Sequence, residues 1–348
     1  MKWNDIYVSA SAAWLGRPED VDVAVAEGRY DAEERRDDDY LSVRVAGDET
    51  PADMAVAAAK RALSRSSVPH EDFHLVAHAS VGFQGLDHWA PPSYIQQRTV
   101  GGNGSAVEVK QASNGGMAAI ELAAAYLSAR TAPTAALVTT ADKYHLPVFD
   151  RYRSDKGMLR GDGATAVVLT RGSGVARLLS TAVIGDASHE GVYRGGQGFA
   201  DHIGSEGWPV DLRSRLKTYL QSGADVREIV HLLTVRQQEV MQTALADAGV
   251  KVEDVARFVF PNAGRTVVDW DFRKREFGID EPRTTWEWGR GIGHIGAGDQ
   301  AAGLSRLLET KAVSPGDVVV LSGIGAGFTF SCAVLEIVEQ PEWDSSTD

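Results

Sequence analysis

AALVTT at residues 135–140 is matched 183 residues later by VVVLSG at residues 318–323. The segment ahead of each run repeats as well, at an offset of 182 residues. The matching positions are Ala62-Leu63, Val68, Glu71-Asp72 and Val76 in the first copy, and Ala244-Leu245, Val250, Glu253-Asp254 and Phe258 in the second. Each copy predicts a helix, a short loop and a strand, then a further helix and strand. We therefore expect two βαβ-type halves of about 175 residues, related by a pseudo-two-fold axis, with their sheets back to back and a site where they meet.

The composition is that of an ordinary globular chain. The 348 residues are 43% hydrophobic and 24% charged, which excludes bulk disorder. A net charge of −13 argues against nucleic acid as the main partner, because phosphate binding needs a cationic surface. The N-terminal stretch does not resemble a signal peptide, and no apolar run approaches the roughly 20 residues of a membrane span. With the single cysteine, Cys332, in an apolar run, we predict a cytosolic protein without disulfides.

The local patterns predict an α/β protein with strands and helices in alternation. Predicted strands are 6–10, 75–79, 107–110, 135–139, 164–169, 176–183, 258–260, 318–321 and 328–337. Predicted helices are 53–64, 117–129, 226–248 and 300–309. Segments 150–163 and 185–207 are predicted to be long, irregular loops of functional length, and the acidic tail 340–348 is predicted to be frayed.

Ser113 is the first candidate for chemistry. It lies in VEVKQASNGGM, residues 107–117, where a strand runs into a tight turn and an Ala-rich helix follows. A side chain on such an elbow points away from the sheet, next to helical N–H groups that favour developing negative charge. Ser113 is thus either an activated nucleophile or simply the N-cap of the helix.

His294 and Asp299 lie in GIGHIGAGDQ, residues 291–300. By the repeat offset, Gly296 is the counterpart of Ser113, so this turn is the second copy's elbow. A histidine here could accept the serine's proton while a carboxylate fixes its tautomer. The alternatives are a hydrogen-bonded loop histidine and an Asp N-cap.

Two further turns complete the candidate site. Asn262, in FPNAGR at 260–265, is either a hydrogen-bond donor into the same seam or a turn-forming residue. The glycine-rich turn 323–329 would let backbone N–H groups approach a ligand closely. It is neither a Walker A motif nor a convincing dinucleotide fingerprint, because a strand follows it. The nine histidines show no metal-ligand spacing, so no metal is expected.

With these motifs the chain resembles the thiolase superfamily and, within it, ketoacyl-ACP synthase III. The matching stretches are 111–116, 161–169, 260–265 and 293–297, followed by 316–318 and 325–329. The resemblance implies a thiolase fold, with two halves (1–172 and 173–348) forming a five-layered α-β-α-β-α core, and a homodimer. The family's nucleophilic Cys, His and Asn are here Ser113, Asn262 and His294.

These departures make the chain similar to the synthase-III-like acyltransferases of antibiotic pathways. The resemblance implies that His294, oriented by Asp299, deprotonates Ser113, which attacks an acyl thioester. The N–H groups of Ser113 and Gly327 would form the oxyanion hole, with Asn262 as an auxiliary donor. The acyl group would then pass to a hydroxyl or amine acceptor.

The same resemblance implies how the donor arrives. It would come on phosphopantetheine or CoA, with no other cofactor, and an acyl carrier protein would dock on Arg265, Arg273, Lys274 and Arg275. Two alternatives remain open. One is a starter-unit ketosynthase that condenses with malonyl-ACP, and the other is a non-catalytic carrier-binding subunit.

Overall fold

The computed structural model describes residues 1–196, 198–200, 202, 204 and 207–348. The strands in this part of the chain are β1 (Ile6–Leu15), β2 (Arg17–Asp20), β3 (Ser42–Val45), β4 (Phe73–Ala79), β5 (Ser105–Val109), β6 (Ala135–Asp142), β7 (Gly163–Arg171), β8 (Ala176–Gly185), β9 (Val255–Val259), β10 (Val318–Gly325) and β11 (Thr329–Ile337). The helices are α1 (Val21–Ala26), α2 (Ala32–Asp38), α3 (Pro51–Ser64), α4 (Pro91–Arg98), α5 (Gly115–Ser128), α6 (Gly191–Arg194), α7 (Leu212–Gln221), α8 (Val226–Ala248), α9 (Trp270–Phe277), α10 (Trp286–Gly289) and α11 (Asp299–Glu309).

One mixed sheet of nine strands runs through the protein in the order β5-β4-β6-β7-β1-β8-β11-β10-β9. Its two halves meet where β1 pairs with β8, with Tyr7 opposite Arg177 and Val8 opposite Ala176. Counted outward from this seam, β1, β7, β6 and β4 on one side correspond to β8, β11, β10 and β9 on the other. Strands β2 and β3 form a separate antiparallel pair.

Helices cover both faces of each half-sheet. Helix α3 packs on β1, β6 and β7, whereas α8 packs on β8, β10 and β11. Helices α5 and α11 lie between the half-sheets, and the largest cluster of buried apolar side chains includes residues from both helices and from strands of both halves. The five-layered arrangement is confirmed: the half-sheets lie back to back, with α5 and α11 as the helical layer between them.

Local sequence explains why the helices form where they do. The buried side of helix α5 consists of small and apolar residues because it packs against strands of both half-sheets. Helix α3 is capped by Thr50, whose side chain accepts a hydrogen bond from the Asp53 N–H at 3.2 Å, and Pro51 is its first residue. Helix α8 ends at Gly249, which adopts the left-handed conformation that favours glycine.

The duplication predicted from sequence is visible in the elements. Strands β6 and β10 have eight residues each and begin 183 residues apart, at Ala135 and Val318. All predicted strands and helices occur, with ends shifted by a few residues. The proposed boundary between the halves 1–172 and 173–348 falls in the connection between β7 and β8, residues 172–175. The division itself stays a prediction.

Three expectations need comment. The tail is not frayed: Thr347 is fully buried, and the Ser346 N–H donates to Glu309 at 2.8 Å. The pair β2 and β3 was not predicted, because its strands are short and polar. Segment 185–207 contains the short α6, while its residues 197, 201, 203, 205 and 206 lie outside the described residues.

Candidate active site

The first elbow places Ser113 between β5 and α5. Ala112 has a φ of 48°, a conformation that residues other than glycine seldom adopt, so the backbone turns sharply here. The N-cap of α5 is Asn114, which makes no side-chain capping bond. The interpretation of Ser113 as a helix cap is therefore wrong, and its half-exposed hydroxyl is used elsewhere.

Ser113, His294 and Asp299 form a continuous chain of hydrogen bonds. Ser113 Oγ lies 2.7 Å from His294 Nε2, and His294 Nδ1 lies 2.6 Å from Asp299 Oδ2. A carboxylate accepts at Nδ1, so that nitrogen carries the proton in the neutral ring and Nε2 is free to accept from the serine. This is the geometry in which a histidine acts as a general base toward a serine.

Asp299 is held rigidly in this arrangement. Its Oδ1 accepts from the Ile295 N–H and its Oδ2 from the Asn262 N–H, both at 2.8 Å. The side chains of His294 and Asp299 are each only 1% exposed. Gly298 is the N-cap of α11 and Asp299 its first residue, so Asp299 is not acting as the N-cap. Buried hydrogen bonds of this kind fix the carboxylate for one task, the orientation of the imidazole.

Asn262 lies beside these three residues in a structural role. Its Nδ2 donates to the Gly293 carbonyl at 3.0 Å, which ties its loop to the second elbow. Gly289 accommodates it, because a Cβ there would lie 2.2 Å from Asn262 Oδ1. A further role as a donor to the substrate oxygen stays a prediction.

The two elbows touch each other through glycines. A Cβ on Gly116 would lie 2.3 Å from the Ala297 carbonyl oxygen, so only glycine permits the observed approach. Gly296 has a φ of +67°, and a Cβ there would lie 2.0 Å from Asp142 Oδ2. These contacts fix the distance between the serine's turn and the histidine's turn.

Asp142 was missed in the sequence and anchors the second elbow. This buried carboxylate at the end of β6 accepts from the Ala297 N–H at 3.0 Å and from the N–H groups of Val81 and Gly82 at 2.8 Å. Burial raises its pKa to about 6. The available signal was an acidic residue closing a strand that carries no other charge, a pattern that marks a carboxylate with a specific task.

The turn that carries Gly327 packs on the first elbow. A Cβ on Gly325 would lie 2.5 Å from the Gln111 carbonyl oxygen, and Ser331 Oγ donates to Asn114 Oδ1. No atom outside the neighbouring residues lies within 4 Å of where a Cβ on Gly327 would be. The oxyanion hole of Ser113 and Gly327 N–H groups stays a prediction.

The basic residues predicted to dock a carrier protein already have partners in this chain. Arg265 bridges Asp39 and Glu281, Lys274 pairs with Asp280, and Arg275 pairs with Glu276, at distances from 2.7 to 2.9 Å. Arg273 is half-buried, with its guanidinium 4.6 Å from the Phe260 ring centroid, and burial lowers its pKa to about 10. Lys274 and Arg275 are the more accessible of the four, and docking on this group stays a prediction.

The described residues contain neither a candidate metal-ligand group nor a candidate membrane-spanning helix. No three His, Cys, Asp or Glu side chains are grouped there so that they could hold a metal ion. In the same part of the chain, none of the helices has the length and apolar character needed to cross a membrane.

Comparison with protein families gives two matches. The family described as 3-oxoacyl-[acyl-carrier-protein] synthase III matches residues 107–187, and the description of its C-terminal part matches residues 245–337. Together these stretches contain both elbows.

Individual relatives extend the match to the whole chain. The solved structure of the acyltransferase ChlB3 is 35% identical, covers 98% of this chain and 100% of its own, and superposes with a TM-score of 0.90. The beta-ketoacyl-[acyl-carrier-protein] synthase III of Rhodospirillum centenum is 27% identical over 82% of this chain and 84% of its own length. The priming β-ketosynthase of the R1128 polyketide pathway is 19% identical over 98% of each chain, with a TM-score of 0.80, and shares the fold.

Proposed function

The chain belongs to the 3-oxoacyl-[acyl-carrier-protein] synthase III family, and within it we propose an acyltransferase that works through an acyl-serine at Ser113. The observation that carries the proposal is the hydrogen-bonded series from Ser113 through His294 to Asp299, with distances of 2.7 and 2.6 Å. A serine hydroxyl is a weak nucleophile until a base takes its proton, and this series supplies that base. The ChlB3 acyltransferase is a relative at 35% identity over the whole chain and supports the same reaction class.

In the first half-reaction, Ser113 Oγ attacks the carbonyl carbon of an acyl thioester. His294 Nε2 takes the serine proton, and Asp299 stabilises the imidazolium that forms. The negative charge on the acyl oxygen is held by the N–H groups of Ser113 and Gly327. When the intermediate collapses, the carbon–sulfur bond breaks and the thiol leaves with the proton from His294.

In the second half-reaction the acyl-serine is attacked by a hydroxyl or amine of the acceptor. His294 now removes the acceptor's proton and returns it to Ser113 Oγ as the ester bond breaks. The donor arrives as a thioester of a carrier protein or CoA, and Ser113 carries the acyl group between the two half-reactions while His294 moves the protons. The family relation supports a carrier-borne donor, and a homodimer stays a prediction.

Decarboxylative condensation is the main alternative, and the site supports it less well. That reaction needs two neutral donors on the malonyl carbonyl oxygen. Here His294 Nε2 lies against Ser113 Oγ, while Asn262 Nδ2 donates to the Gly293 carbonyl. A serine ester is also lower in free energy than a thioester, so return of the acyl group to a thiol is uphill and passage to an alcohol is nearly neutral.

Intact-mass measurement of the acylated protein tests the proposal. Incubation with acyl thioesters, both carrier-borne and as N-acetylcysteamine esters, should add the mass of the acyl group to the wild-type chain and not to Ser113→Ala. Ser128→Ala, at the end of the helix that follows Ser113 and with its hydroxyl bonded to the Ala124 carbonyl, is the matched control and should acylate normally. A wild-type chain that no donor acylates would instead support the non-catalytic carrier-binding subunit.

A further inference from the structure

The tail, residues 340–348, lies beyond the part of the chain that the C-terminal family description matches. After leaving β11 it runs back along the C-terminal end of α11. Lys311, which follows that helix, pairs with Glu342 at 2.7 Å, and Arg306 in the last turn of the helix pairs with Asp348. Exposed ion pairs of this kind contribute little to stability, so they do not by themselves explain why the tail is ordered.

Glu309, the last residue of α11, anchors the tail from below. Its Oε1 accepts from Arg65 Nη1 at 2.7 Å, in an ion pair whose side chains are only 6% and 0% exposed. Its Oε2 accepts from the Ser346 N–H at 2.8 Å and from Thr347 Oγ1 at 2.9 Å, while the Ser346 hydroxyl donates to Oε1. The guanidinium of Arg65 also lies 5.0 Å from the Trp343 ring centroid. A buried carboxylate is stable only when its oxygens are bonded, and here the tail supplies most of those bonds.

Two tail residues reach beyond Glu309. The Ala13 N–H of β1 donates to Ser346 Oγ at 3.0 Å, and the indole N–H of Trp288 donates to the Thr347 carbonyl at 3.2 Å. Thr347 is fully buried. The tail therefore joins the backbone of β1 to α10, the short helix that precedes the second elbow.

The apolar cluster at the far end of these bonds contains the neighbours of the catalytic histidine. Ile292 comes two residues before His294 and Ile295 directly after it, and both side chains are buried. Trp288 packs against this cluster, whose buried members are Ala13, Ile292, Ile295 and Ala302. Both inward bonds of the tail thus end on residues of the cluster that supports the His294 turn.

We propose that the tail is a strap that positions the imidazole of His294, acting through Trp288 and the cluster around Ile292 and Ile295. A displacement of about 1 Å at a catalytic group can cost roughly a hundredfold in rate, so small shifts of this turn matter. Trp288 and the tail are positioning groups, because their hydrogen bonds join them to each other, to Glu309 and to β1. The inference rests on the proposed acyl-serine function, since the rate concerned is that of Ser113 acylation.

Trp288→Phe tests the strap while keeping an aromatic ring in the cluster. Loss of the indole N–H should slow single-turnover acylation at saturating N-acetylcysteamine donor by at least about threefold, the equivalent of one hydrogen bond. The donor concentration that gives half the maximal rate should not change. Trp3→Phe is the matched control, because its indole N–H donates to Thr181 Oγ1 on β8 at 3.1 Å. Both variants should unfold at a lower temperature than the wild type, and only Trp288→Phe should acylate more slowly.

A second measurement asks whether Trp288 acts through His294. In Asp299→Asn the imidazole has already lost its orientation, so the addition of Trp288→Phe should slow acylation by less than about twofold more. A chain that lacks residues 340–348 should acylate at least about tenfold more slowly, again with an unchanged half-saturating donor concentration.

The outcomes separate the strap from the reaction itself. A wild-type rate in Trp288→Phe, equal slowing of Trp3→Phe, or the same loss with and without Asp299→Asn would overturn the strap alone. Failure of every donor to acylate the wild-type protein would count against the acyl-serine function.

Discussion

Ser113 Oγ and His294 Nε2 are 2.7 Å apart although 181 residues separate them in sequence. Ser113 lies on the turn before the central helix α5 and His294 on the turn before the central helix α11, and these turns occupy equivalent positions of the duplicated halves. The close contact of Gly116 with the Ala297 carbonyl brings the two turns together. The nucleophile and its base thus come from equivalent turns of the two duplicated halves, which meet at the pseudo-two-fold axis.

Removal of the imidazole should abolish most of the acyl transfer. His294→Ala should lower kcat/KM by at least about a thousandfold, because serine then has no base in either half-reaction. Asp299→Asn should cost somewhat less, about a hundredfold or more, because the ring loses its fixed tautomer and orientation. Steady-state acyl transfer to a hydroxyl acceptor measures both, with Ser128→Ala as the control. Near-normal turnover in His294→Ala would mean that the triad is not the catalytic machinery.

The exposed basic residues Lys274 and Arg275 of α9 should affect the reaction with carrier-borne donors only. Lys274→Glu combined with Arg275→Glu should raise KM for an acyl-carrier-protein donor severalfold and spare an N-acetylcysteamine ester. The protein's net charge of −13 already repels an acidic carrier, so local positive charge has to guide docking. Arg227→Glu, an exposed charge reversal on α8, is the control. Equal losses with both donors would refute the docking role.

The glycine contact between the elbows predicts a specific intolerance. Gly116→Ala should destabilise the protein by about 1–3 kcal/mol, because the new Cβ has to push Ala297 away. It should also slow Ser113 acylation, since the displaced turn carries His294. Gly185→Ala is the matched control, because no atom outside the neighbouring residues lies within 4 Å of its would-be Cβ. Thermal unfolding and single-turnover acylation measure the two effects, and equal behaviour of the two variants would contradict the contact.

The buried side chain of His78 should make the free energy of unfolding depend on pH. Its Nδ1 lies 2.9 Å from Thr139 Oγ1 and its Nε2 lies 3.0 Å from Gln84 Oε1, and burial lowers its pKa from 6.5 to about 4. As the pH falls from 6.5 to 4, the unfolded chain therefore takes up a proton that the folded chain refuses. The free energy of unfolding should fall by up to about 3 kcal/mol through this group.

The comparison with His78→Gln isolates that contribution. The wild type and the variant both retain Asp142, whose raised pKa acts in the opposite direction, so the difference between their pH profiles reports His78. Urea unfolding at several pH values should show a smaller acid-induced loss in His78→Gln. Parallel profiles for the two proteins would show that His78 is not kept neutral by burial.

The elements and the site residues were largely readable from the sequence. Residues 135–140 and 318–323 revealed the duplication, the strand-turn-helix pattern identified the elbow at Ser113, and the repeat offset placed the second elbow at Gly296. Asp299 follows His294 by five residues at the start of a helix, which is close enough for the carboxylate to reach the ring. Local pattern and repeat thus predicted which residues would meet.

Other features depend on contacts that no local pattern records. The half-sheets are separated by α5 and α11, and only packing reveals that these helices form the central layer. The role of Asp142 follows from the N–H groups of Val81, Gly82 and Ala297 that surround its carboxylate, which come from two other parts of the chain. The tail looks disordered by composition, yet Glu309 accepts three hydrogen bonds from Ser346 and Thr347.

The central claim is that Ser113 passes its acyl group to an acceptor hydroxyl and does not extend it. The most direct measurement incubates the protein with an acyl thioester, a hydroxyl acceptor and carboxyl-labelled malonyl-carrier protein, following both products at once. We predict an acyl ester of the acceptor, dependent on Ser113 and His294, and no labelled carbon dioxide. Label released as carbon dioxide together with a β-ketoacyl product would make the protein a condensing enzyme and contradict the acyltransferase account.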